Sequence, residues 1–164
     1  MTLLIGPANL LLRRRNPISN SLRRDASAWT AIASVAHVIL ALQSHGERGM
    51  LGFLDYFVAA GRPLTNSFGL GNWTGLAALV IVVGLLALST DRALRELKAT
   101  RWKRLQRLNY ALFALVVLHA FFYGALLRIT SPFTLLLFCI VIAVFAAQAV
   151  GIWLWRRRSP KLRY

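Results

Sequence analysis

The stretch Trp73-Thr-Gly-Leu-Ala-Ala-Leu-Val-Ile-Val-Val-Gly-Leu-Leu-Ala-Leu-Ser-Thr90 contains no charged side chain. A bilayer-crossing helix needs roughly 20 mostly apolar residues, and 73–90 comes close to that length. Three further stretches read the same way: Ala26 to His45, Leu108 to Leu127, and Pro132 to Trp155. Pro132 stands at the start of the last, where a missing N–H costs little. Lipid offers the backbone no hydrogen-bond partners, so segments of this kind are expected as helices. The expected fold is all-α: an integral membrane bundle of four transmembrane helices (26–45, 73–90, 108–127, 132–155), forming a single membrane domain over residues 1–164.

Composition agrees. Of the 164 residues, 57% are hydrophobic and 15% charged, with a mean hydropathy of +0.57. Soluble domains carry about 25% charged residues, so a soluble enzyme and a disordered chain are both disfavoured. The net charge of +15 would suit nucleic acid or an anionic membrane surface. The length of the apolar runs decides for the membrane and against nucleic acid. Cys139 is the one cysteine, which excludes an intrachain disulfide and any multi-cysteine metal site.

The basic residues set the expected topology. All but Arg48, Arg62 and Arg128 of the 20 lysines and arginines precede the first span, fill the 91–107 connection or follow the last span. The positive-inside rule then places both basic segments and the C-terminus in the cytoplasm. The expected location is a bacterial inner membrane. Trp73, Trp102, Trp153 and Trp155 fall at span ends, as interfacial anchors do. The first twelve residues form a short apolar segment, too short to span. Residues 16–22 read as a polar turn. In the outer connection, 50–60 reads as a short interfacial helix, with Gly61 and the Gly69/Gly71 pair supplying turns.

The chemistry-bearing residues are the histidines. An imidazole within a span is costly unless it finds a partner; the competing reading for any one of them is an interhelical hydrogen bond. His37 lies 13 residues after Arg24, and His119 lies 12 after Arg107. At 1.5 Å per residue, both stand roughly 18–20 Å from the inner basic edge. The two helices run parallel, so the rings are expected at one level. Two imidazoles make a poor zinc site but fill both axial positions of a haem iron. Without a Cys-x-x-Cys-His motif the haem would be held non-covalently, as haem b. Ala33, Ser34 and Ala41 beside His37 leave room for a flat ring, and Phe122 and Tyr123 flank His119. His45 lies about 12 Å farther out and turned about 80°, and is expected at the interface, bonding a haem propionate or a quinone, with ligation of a second haem as the alternative.

With those residues in view, the chain resembles the ferric reductase-like transmembrane domain, the membrane haem module shared by ferric reductases, NADPH oxidases and MsrQ-type proteins. The resemblance rests on Leu22-Arg-Arg-Asp25 leading to His37 and on Arg101-Trp-Lys-Arg-Leu-Gln-Arg-Leu-Asn-Tyr110 leading to Leu118-His119. It covers roughly residues 6–128. It implies a b-type cytochrome that passes electrons through a bis-histidine haem at His37 and His119. Gln106 stands where diheme relatives carry a second histidine, which argues for one haem. Family members also carry a further helix ahead of the Arg-Asn-Pro segment, and this chain is expected to begin inside it. No flavin or nicotinamide signature is present, so the resemblance implies a separate electron donor, a flavoprotein or a quinol. The alternative is a haem-free structural or accessory subunit of a larger membrane complex. No span holds a nucleophile–base pair, which disfavours a hydrolase.

Overall fold

The computed structural model describes residue 3 and residues 18–45, 49–124 and 131–158. Its elements in chain order are α1 (Ile18–His45), a 3-10 turn (Gly49–Tyr56), β1 (Val58–Ala59), β2 (Arg62–Pro63), α2 (Ser67–Leu88), α3 (Asp91–Gln106), α4 (Leu108–Phe122) and α5 (Pro132–Arg158). The fold is all-α apart from the two-residue hairpin. Four helical segments are long and apolar enough to cross a membrane: Arg24–Gln43, Ser67–Leu88, Thr100–Phe122 and Thr134–Leu154. Large apolar side chains such as Ile32, Leu40, Val80, Ile142 and Phe145 face outward. That is the surface lipid tails require and water penalises.

The helices do not start and stop where apolarity does. α1 begins at Ile18, eight residues before the apolar run, so most of the expected polar turn at 16–22 is helical. Polarity marks where a helix leaves the bilayer, not where it ends. α2 begins at Ser67 rather than Trp73. Asn66 caps it, its side-chain oxygen accepting from Gly69 N at 2.8 Å, as N-cap asparagines do. Gly69 and Gly71 therefore lie in the first turns of a helix and supply no loop; they serve close packing instead. α4 closes at Phe122, and Gly124 takes the left-handed φ of +71° that commonly ends a helix. The remainder of the expected 108–127 span lies outside the described residues, as does the N-terminal apolar segment apart from Leu3.

The expected interfacial helix at 50–60 is a 3-10 turn broken at Gly52, followed by the β1–β2 hairpin. Ala60 and Gly61 turn that hairpin with φ of 51° and 74°, the paired left-handed geometry of a tight hairpin turn. The basic connection is also structured. α3 occupies most of it, capped by Thr90, whose hydroxyl accepts from Ala93 N at 3.3 Å.

The backbone divides into two compact units, residues 1–26 with 129–164, and residues 27–128. In the first, Gln148 on α5 donates to the carbonyl of Leu3 at 2.6 Å, and the Arg157 guanidinium lies 3.9 Å from the Trp153 ring. In the second, α2 and α4 pack along their length, whereas α1 makes little close backbone contact with either. The C-terminal end of α1 is fixed instead by the 3-10 turn. Leu42, Tyr56 and Phe57 form a buried cluster there with Val38, Val58 and Leu76 against it.

Candidate functional site

The gap that separates α1 from α2 and α4 is a cavity of about 820 Å³. That lies within the range of pockets that enclose whole organic ligands, roughly 300–1,000 Å³. Its walls are nearly all apolar. Ala33, Ser34 and Ala41 line it from α1, Leu76, Leu79 and Val82 from α2, Leu112 and Val116 from α4, and Tyr56 and Phe57 line the end nearest the hairpin. The small residues beside His37 are among them, with Val38 and Leu42 the larger apolar side chains that α1 contributes.

Two imidazoles project into this cavity. His37 on α1 and His119 on α4 have ring centroids 6.1 Å apart and ring planes at 81°. A metal ion held by one nitrogen of each ring at about 2 Å would place the centroids roughly 6 Å apart. Among the described residues, no group of three or more His, Cys, Asp or Glu side chains is placed to hold a metal ion. The donor set among the described residues is thus two imidazoles in a mostly apolar cavity, too few ligands to enclose a bare ion and the number a haem needs from the protein. His45 ends α1, and its side chain lies outside the described residues.

His119 is set by α2. Its Nδ1 lies 2.8 Å from the carbonyl oxygen of Gly71. A carbonyl only accepts, so Nδ1 carries the hydrogen and the neutral ring keeps its lone pair on Nε2. A Cβ at Gly75 would stand 2.8 Å from Nδ1 and 2.9 Å from Cε1 of the same ring. One turn along, a Cβ at Gly71 would stand 2.6 Å from the Tyr123 ring. The two glycines of α2, four residues apart, therefore admit His119 of α4 and Tyr123 at its C-cap, also four apart. Small residues let membrane helices approach closely in this way.

A polar network ties the end nearest the 3-10 turn. The Tyr123 ring packs on His119 at 4.9 Å, and its hydroxyl donates to the Asn72 side-chain oxygen. The Asn72 amide donates to the carbonyl of Tyr56 at 3.0 Å. Aromatic contacts continue it, with Phe57 against Trp73 at 5.0 Å and Tyr56 against Phe68 at 5.8 Å. Of the two aromatics expected beside His119, Tyr123 makes the ring contact; Phe122 approaches Gly71 instead.

Gln106 sits at the junction of α3 and α4. Its side-chain oxygen accepts from the Asn109 amide at 3.2 Å. Sequence reading missed Gly71, Gly75, Asn72 and Tyr56. The i, i+4 glycine spacing was the available signal for the first two; nothing local marks the others. No protein-family model, curated protein or solved structure matches this chain.

Proposed function

We propose that this chain is a membrane b-type cytochrome of the ferric reductase-like kind, in which His37 and His119 would hold one haem through their imidazole nitrogens. One observation carries the reading: two imidazoles from different helices face each other at 6.1 Å across an apolar cavity. Bound there, haem supplies reversible one-electron chemistry at a potential set by its ligands and their surroundings. The chain's own residues do the rest. His119 offers Nε2 because Gly71 holds Nδ1. Ala33, Ser34 and Ala41 leave space for a flat ring, and the Leu76, Leu79 and Val82 face keeps water out. Tyr56 and Phe57 cover the outer end.

In this reading the 91–107 segment and the C-terminus face the cytoplasm of a bacterial inner membrane. Electrons enter from a separate flavoprotein or a quinol and leave to an acceptor on the outer side. The purified protein tests it. The pyridine haemochrome assay should return about one haem per chain. The low-spin α-band of the reduced protein should disappear in both His37→Ala and His119→Ala. A colourless wild-type protein, or two variants that keep the band, would leave the structural-subunit reading in its place.

A further inference from the structure

His37 and His119 share a cavity, but they are not held alike. The His119 ring is gripped from three directions. Nδ1 donates to Gly71, Tyr123 covers one side at 4.9 Å, and the bare Cα of Gly75 faces Nδ1 and Cε1 with no room for a methyl group. The ring can neither turn nor exchange its tautomer without breaking a hydrogen bond in an apolar setting. His37 has none of this. Its side chain is exposed, and among the described residues its ring contact is with His119. Among the described residues its nitrogens meet no hydrogen-bond partner. Ser34, one turn away on α1, spends its hydroxyl on the carbonyl of Thr30 at 2.8 Å.

From this asymmetry we infer that His119 is the fixed ligand and His37 the exchangeable one, so that a small neutral molecule entering the cavity binds the iron on the His37 side. The ligand assignment rests on the haem reading above; the inequality of the two rings does not. Partners that orient a ligating histidine typically change metal affinity by about 10–100-fold when removed. The assignment makes Gly75 a positioning residue for His119, acting through the space it leaves.

Two measurements decide it. The first uses the haem-free chain in detergent, with ring-¹⁵N histidine and nitrogen NMR. His119 should show one tautomer, protonated at Nδ1, while His37 averages between two. Gly75→Ala should move the His119 signals and leave those of His37 in place. Two averaged rings, or a locked His37, would overturn the inference whatever the haem content. The second uses the chain loaded with haem b, with carbon monoxide as the probe. His37→Ala should keep haem and bind carbon monoxide at once, giving the same reduced spectrum that the wild type reaches more slowly. His119→Ala should lose the cofactor, and Gly75→Ala should weaken its binding about 10–100-fold. Equal haem loss from both histidine variants, or loss from His37→Ala alone, refutes the assignment. A wild-type chain that takes up no haem sinks the proposed function and the ligand assignment with it, while the NMR result still settles whether the rings are unequal.

Discussion

The indole of Trp102 donates from Nε1 to the carbonyl of Leu88 at 2.8 Å. Leu88 is the last residue of α2, where the final carbonyls have no partner within the helix. Trp102 therefore does more than anchor at the interface, as its place at a span end implied. It satisfies a helix terminus and pins the second half of α3 to the end of α2. Trp102→Phe keeps the ring and removes the donor, so it should lower stability by about 1 kcal/mol. Trp29→Phe is the control, since Trp29 is 70% exposed and should change little. Denaturant titration of the two variants in detergent checks the difference; equal effects would remove the capping role.

The glycine face of α2 makes a second expectation. Gly71→Ala drives a methyl group into the Tyr123 ring, and overpacking of this kind costs about 1–3 kcal/mol. Gly84 lies on the same helix, and among the described residues nothing stands within 4 Å of where a Cβ would be. Gly84→Ala should be neutral or stabilising by up to about 1 kcal/mol. Adding Tyr123→Ala to Gly71→Ala should recover part of the loss, because residues in contact are not additive. Thermal unfolding of the wild type, the single variants Gly71→Ala and Tyr123→Ala and the double variant reads the cycle, with Gly84→Ala as the control.

How much of this was visible in the sequence follows from what each feature depends on. The four spans were legible because bilayer thickness fixes their length and lipid fixes their composition. The juxtaposition of His37 and His119 was legible because a helix converts residue count into depth, and two basic edges supply a common zero. The extent of α1 was not, since Ser19, Asn20 and Arg24 read as turn and loop residues although water satisfies them at a helix end equally well. α3 was hidden for the same reason: a dense run of basic residues reads as a charge signal first. The grip on His119 was hidden for a different reason. It depends on the absence of side chains at Gly71 and Gly75, 48 and 44 residues away in the chain, and on a backbone carbonyl that no sequence pattern marks.

The proposed sidedness can be read directly with single cysteines. Cys139 is exposed on α5 within a span, so a Cys139→Ala background removes it without opening a core. Arg62 lies on β2 and Arg101 on α3, and both are exposed. The proposed topology has the 91–107 segment inside, on the strength of its charge bias. A membrane-impermeant maleimide added to intact cells should label Arg62→Cys at once and Arg101→Cys only after permeabilisation. The opposite pattern would invert the topology and move the proposed electron donor to the other face.

Lys98 gives the most discriminating test of the fold outside the spans. It interrupts α3 with φ of 56° and ψ of 153°, a conformation that glycine adopts readily and other residues enter at a cost of about 1–3 kcal/mol. In an uninterrupted helix, glycine at this position would cost about 1 kcal/mol relative to a good helix former. The two geometries therefore predict opposite signs for one substitution. With the kink present, Lys98→Gly should stabilise the chain by about 1 kcal/mol through relief of that strain. Lys98→Ala, which keeps the Cβ, should not. The charge lost is common to both, so their difference isolates the backbone term. If Lys98→Gly unfolds at lower denaturant than Lys98→Ala, α3 is continuous and the break between its two halves is not a feature of the protein.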